Sequence, residues 1–134
     1  MPGNSHYSRP TPDGDYLLVG AENYTEPTGF AVNPQPGDIT VFDLSELNFR
    51  SPLDSDSPND DPTAPEPVEC IAPPKEPAEA ALRTSHNFDI TDDGTRLYSA
   101  WYQGGIRAYD VSDPENVTEL AGFINLNGNA FWGA

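Results

Sequence analysis

The chain has 134 residues, and 22 acidic against 6 basic side chains give it a formal charge of −16. Nucleic acid is excluded as a partner. Neutralising phosphates takes a lysine and arginine footprint, whereas here Lys75 stands with five scattered arginines, Arg9, Arg50, Arg83, Arg96 and Arg107. An anionic membrane surface is excluded on the same ground. Membrane insertion is not expected either, because no run reaches the ~18 apolar residues of a spanning helix. The first twenty residues, with Pro2, Pro10 and Pro12, lack the basic-then-apolar order of a signal peptide. A single cysteine, Cys70, excludes an internal disulfide framework and a cysteine-built zinc site.

High charge with 15 prolines and 11 glycines is one signature of disorder. Six tyrosines, six phenylalanines and two tryptophans gathered in short strand-like runs argue the other way. A halophile's protein reconciles the two, because concentrated salt screens the self-repulsion of an acidic surface on a folded chain. The excess of arginine over lysine fits that setting.

In chain order, residues 1–50 read as three strands of a first unit, with an enlarged loop over 23–36 where Pro27, Gly29, Pro34 and Pro36 cluster. Residues 51–82 are an acidic, proline-rich insertion holding eight prolines and eight acids. Its strand-like island, 68–72, falls where a fourth strand is due, and Ala78 to Leu82 could add one helical turn. Residues 83–124 form a second unit. His86 to Ile90 reads as a strand, Asp92-Asp93-Gly94 as a hairpin turn and Arg96 to Tyr102 as the return. Ile106 to Val111 and Val117 to Ile124 follow as third and fourth strands. Residues 125–134 open a third unit, with a strand expected over Asn129 to Ala134.

The two units are copies. Ser5-His6 followed by Thr11-Pro12-Asp13-Gly14-Asp15-Tyr16-Leu17-Leu18-Val19-Gly20 aligns with Ser85-His86 followed by Thr91-Asp92-Asp93-Gly94-Thr95-Arg96-Leu97-Tyr98-Ser99-Ala100 at an offset of 80. Further on, Gly37 to Ser45 aligns with Gly104 to Ser112 at an offset of 67. Four short strands in about forty residues is the period and content of a propeller blade. Apolar residues on both faces of Leu97 to Tyr102 suit a sheet sandwiched between neighbours. The predicted fold is therefore all-β: about two four-stranded blades plus the first strand of a third, a piece of a larger β-propeller. Its partners would be the remaining blades or other copies of the chain, together with a protein or small ligand not named by the sequence. Standing alone, the blades would leave Leu18, Val41, Phe42, Tyr98, Trp101 and Tyr109 facing water.

Gly105-Ile106-Arg107-Ala108-Tyr109-Asp110-Val111-Ser112-Asp113-Pro114, preceded by His86 and by Asp93 to Tyr98, resembles the unit of the LVIVD-repeat β-propeller family. Ile39 to Ser45 is a looser version of it. The resemblance covers about residues 5–45 and 83–134 and implies a blade fold, exported or cell-surface proteins, and no particular chemistry. Trp101 to Arg107 followed by Tyr109 to Pro114 is also similar to a segment of the selenium-binding protein family, which implies propeller histidines holding copper for thiol oxidation.

The two histidines, His6 and His86, occupy the same place in both units, at the mouth of the first strand. If that strand lines a channel they point toward one axis, where imidazole is a favoured ligand of copper and zinc. The competing reading has each ring capping its own blade through backbone or Asp89, and two ligands fall short of the three or four such sites use. No cofactor is otherwise expected. Asp13, Asp15, Asp92 and Asp93 read as turn residues, as do Asp43 and Asp110. The sequons at Asn23 and Asn116 match chance. Ser5-His6 and Ser85-His86 are chain neighbours, unlike a nucleophile and base assembled from distant positions. The favoured function is a non-catalytic binding or surface module. The alternatives are a metal-dependent oxidoreductase using channel histidines, and an interaction segment with a disordered acidic middle.

At 1 M salt the Debye length shrinks to roughly 3 Å, so the fold should depend on molar salt. Circular dichroism is expected to show a cooperative β signal that weakens on dilution, and a signal indifferent to salt would remove the halophile reading.

Overall fold

The computed structural model describes residues 4–22, 37–45, 65, 67–75, 83–125, 127 and 130–134. Eight strands are found among them: β1 (Asn4–Pro10), β2 (Tyr16–Glu22), β3 (Ile39–Asp43), β4 (Pro67–Ile71), β5 (Phe88–Ile90), β6 (Arg96–Ala100), β7 (Ile106–Asp110) and β8 (Thr118–Phe123). They make two four-stranded sheets, ordered β1-β2-β3-β4 and β5-β6-β7-β8. Every pairing is antiparallel between chain neighbours.

The first hairpin of each sheet turns on the same chemistry. In the first, Thr11 Oγ1 donates to Asp13 Oδ1 at 2.6 Å, and that oxygen also accepts the Asp15 amide at 3.1 Å. In the second, Thr91 Oγ1 donates to Asp93 Oδ1 at 2.6 Å, with the Thr95 amide at 3.0 Å. The carboxylates thus stand in for missing backbone partners of the turn. A glycine follows each aspartate, Gly14 at φ 84° and Gly94 at φ 71°, a backbone region that a Cβ disfavours.

The sheets lie face to face over one core. Leu18, Ile39, Val41 and Ile71 of the first sheet pack with Phe88, Leu97, Trp101, Tyr109 and Val111 of the second half. The approach is close: a Cβ on Gly20 would lie 2.9 Å from Phe88 Cε1. Tyr7 meets Phe88 edge-on at 5.1 Å. Polar contacts fasten the rims, with Arg9 on Asp89 at 2.9 Å and Tyr16 Oη donating to Glu115 at 2.9 Å. The segment entering the second sheet also runs against the first, as Ser85 N donates to Gly37 O and Thr84 Oγ1 to Ala21 O.

This packing corrects the expectation of six bare apolar residues. Leu18, Val41, Phe42, Trp101 and Tyr109 are buried, and of the six only Tyr98 faces water, at 43% exposure. Each sheet covers the other's inner face, while Phe42, which alternates with Val41 along β3, is buried on the far side of the first sheet and not in the shared core. Tyr98 lies on the opposite face of β6, the side on which Phe123 of the edge strand β8 is also exposed, and Leu120 at the β8 bulge is exposed as well.

Strand limits depart from the expected ones where the chain bends toward the site. His86 and Asn87 precede β5, yet they bracket Ala100 through His86 N to Ala100 O at 2.9 Å and Ala100 N to Asn87 O at 3.0 Å. At the other end β6 stops at Ala100, and Tyr102 takes a left-handed φ of 48°. Among the described C-terminal residues, Phe131 forms an isolated antiparallel bridge with Tyr102. The enlarged loop over 23–36, the helical turn over 78–82 and most of the acidic insertion lie outside the described residues.

Gly105 tests the register of β7 against β8. It sits at φ 89°, and a Cβ there would come within 2.1 Å of Phe123 O. Gly105→Ala is expected to destabilise by roughly 2 kcal/mol or more. Gly14→Ala, where a Cβ would meet nothing, should cost only the left-handed penalty of roughly 1 kcal/mol. Urea melts at fixed molar salt measure both, and equal losses would show that β8 does not press on Gly105.

Candidate functional site

Both histidines leave the regular ladder, and that is what brings them together. In β1 the register slips between Ser5 and Tyr7, so His6 is the extra residue of a bulge, a device that re-aims a side chain. His86 stands just ahead of β5. Their ring centroids are 4.5 Å apart at an interplanar angle of 41°.

In contact with both rings lies a carboxylate that the spacing of the histidines does not reveal. Glu22 ends β2, with its side chain 12% exposed; its Oε2 is 3.2 Å from His6 Nδ1 and its Oε1 is 3.7 Å from His86 Nε2. The Tyr102 hydroxyl donates to the same Oε1. His86 Nδ1 lies 2.5 Å from the Trp132 carbonyl oxygen. A carbonyl can only accept, so Nδ1 carries the proton and, in the neutral ring, the Nε2 lone pair faces Glu22. Aromatic rings wall the cluster: Tyr102 stands edge-on to His86 at 5.2 Å, and Trp132 lies 5.8 Å from His86 and 6.1 Å from Tyr102.

One ligand atom each from His6, Glu22 and His86 fall within 4.8 Å of one another. Bonds of about 2.1 Å from a central ion place neighbouring donors about 3.0 Å apart in an octahedron and about 3.4 Å apart in a tetrahedron. The His6-to-carboxylate separation of 3.2 Å falls between those values, and the His86 separation of 3.7 Å, to the other carboxylate oxygen, is somewhat wider than both. Two imidazoles and one carboxylate suit zinc, copper and iron, and as a set of three they leave coordination positions open. The His86-to-carbonyl bond is the outer contact that fixes tautomer and orientation in metal-ligating histidines.

Of the expected site residues, His6 and His86 are brought together. Asp89, expected as a possible histidine partner, pairs with Arg9 instead. The aspartates stay apart from the cluster as turn residues. The Thr91 hydroxyl and the Thr95 amide hold Asp93 down to about 2, and Asp43 and Asp110 are lowered by bonds from Ser45 and Ser112. Cys70 is half-buried and donates its thiol to Asp38 Oδ2 at 2.8 Å. Trp101 and Tyr109 belong to the core, and burial pushes the Tyr109 phenol up.

The missed residues had a signal. Glu22 and Tyr102 are 80 residues apart, the same offset that relates His6 to His86. The repeat therefore supplies two site positions per blade, a histidine at the mouth of the first strand and a second polar group at the end of the next. Unlike residues, Glu in one copy and Tyr in the other, hide the second position.

No protein-family model matches the sequence, and no curated protein matches it. Among solved structures, a Bacteroides uniformis protein provisionally described as a 6-phosphogluconolactonase superposes with a TM-score of 0.54 at 14% sequence identity. The match covers 94% of this chain and 31% of that one, so the chain spans about a third of that protein's length. At this identity the likeness concerns the fold alone: the chain is all-β, two four-stranded antiparallel sheets arranged like part of a propeller protein.

Proposed function

We propose that this chain is a blade pair of the LVIVD-repeat kind whose converging strand mouths bind one divalent transition-metal ion through His6, Glu22 and His86. The observation that carries the reading is the convergence of one donor atom each from His6, Glu22 and His86 within 4.8 Å of one another. His86 Nδ1 lies 2.5 Å from the Trp132 carbonyl oxygen, which leaves its Nε2 facing Glu22 Oε1 at 3.7 Å. A cation seated there would bond directly to a carboxylate that otherwise accepts from the Tyr102 hydroxyl. His6 Nδ1 on the second carboxylate oxygen supplies the third donor.

The cluster adds one ligand to the two that the sequence offered, which moves the metal-dependent reading ahead of a purely non-catalytic module. The three donors are held by two different sheets, so metal binding would also stiffen the junction between blades. What the ion does there, whether it activates a small substrate as the copper chemistry implied by the selenium-binding resemblance would, depends on the open coordination positions. A second role, as an assembly surface for further blades, is supported by the exposed Tyr98, Leu120 and Phe123 on the second sheet.

Titration calorimetry with Zn(II) on chelator-treated protein in molar salt is expected to show one ion per chain. Glu22→Gln and His86→Ala should each weaken binding by about tenfold or more, with circular dichroism unchanged. Absence of stoichiometric binding, or binding indifferent to both substitutions, would overturn the proposal.

A further inference from the structure

Tyr102 is set into the same cluster with more care than a hydrogen bond to a ligand needs. It is a buried non-glycine residue at φ 48°, a strained conformation that persists where the surroundings over-determine it. The surroundings here are explicit. Tyr102 N donates to Phe131 O and Phe131 N to Tyr102 O, both at 3.1 Å, and Gly105 N donates to Tyr102 O at 3.2 Å. The result aims the phenol oxygen at Glu22 Oε1, the oxygen that also faces His86 Nε2. The ring stands edge-on to His86, at 85°, so the phenol meets the imidazole by its rim rather than by stacking over it.

The repeat gives this position its meaning. Tyr102 occupies in the second blade the place that Glu22, a proposed ligand, occupies in the first, just as His86 matches His6. Two equivalent positions from each of two blades converge, and three of the four carry metal-binding groups.

We propose that Tyr102 is the fourth protein donor of the site and binds as phenolate when the ion is ferric, so that the cluster is built for a hard trivalent metal as well as for a divalent one. This rests on the metal-binding reading of His6, Glu22 and His86. An iron–oxygen bond forms as the phenol O–H bond breaks heterolytically, and the proton passes to solvent with the Glu22 oxygen that accepts it now as the first carrier. The iron stays ferric and nothing is oxidised or reduced. A bound cation makes such deprotonation favourable. One carboxylate and one phenolate would leave a ferric ion with a single residual positive charge, in a protein of formal charge −16.

The test is optical and needs no activity. Chelator-treated full-length chain in molar salt is loaded with Fe(III) supplied as ferric nitrilotriacetate, and bound iron is counted after gel filtration. The expected result is one iron per chain and a visible phenolate-to-iron charge-transfer band, with tyrosinate modes in the resonance Raman spectrum. Tyr102→Phe should lose the band while still binding Zn(II) within about threefold of the parent, since three protein donors and water complete a zinc site. Tyr98→Phe, on the exposed outer face, should keep the band. Iron bound without a band, or a band that survives Tyr102→Phe, overturns the phenolate ligand and leaves the three-donor site standing. Failure to bind either ion overturns both.

Discussion

The face-to-face contact of the two sheets is the constraint on which the rest of the molecule depends. Each apolar side chain buried there contributes about 1.5–3 kcal/mol relative to exposure, and Leu18, Val41, Phe88, Leu97 and Trp101 are almost wholly enclosed. Gly20 lets the sheets close onto Phe88 without a gap. Once that spacing is set, the mouths of β1 and β5 have no freedom to stand apart. The contact between His6 and His86 is thus a consequence of core packing several residues away, and the bulge at His6 only chooses the direction of the ring.

Because the blades are copies, one packing solution places equivalent positions side by side. The cluster is not symmetric, however. A symmetric pair of carboxylates would repel and hold two negative charges in a confined space. With glutamate in one copy and tyrosine in the other, the first accepts what the second donates, and the cluster is internally matched when no ion is bound. The same asymmetry gives it two kinds of oxygen donor.

Much of the fold was legible. Turn chemistry marked both hairpins, because a Thr-x-Asp-Gly pattern has a local cause and needs no tertiary context. The strand island in the proline-rich segment was legible for a similar reason: a short apolar run in a polar stretch has few uses other than to complete a sheet. Which faces meet was not. Trp101, Tyr109, Leu18 and Val41 looked stranded when each blade was considered alone, and only the partner sheet tells that they are covered. In the site, identical residues at one offset announced His6 and His86. Glu22 and Tyr102 obey the same offset but share no letter, and the Trp132 carbonyl is backbone, which no side-chain pattern can reveal.

Net charge bears on the site in a way opposite to first impression. A protein of −16 attracts cations everywhere, yet at 1 M salt the Debye length falls to roughly 3 Å and that general attraction vanishes within a water layer. Only donors in direct contact with an ion still distinguish it from the background. The imidazole and carboxylate atoms here stand 3.2 and 3.7 Å apart, close to that screening length. Soft and borderline donors also discriminate where charge cannot, since imidazole nitrogen has little affinity for the alkali cations that crowd an acidic surface and a high one for transition metals. On the proposed reading, a surface adapted to salt would favour a site whose selectivity comes from nitrogen lone pairs, and two imidazoles beside one carboxylate are what the two strand mouths bring together.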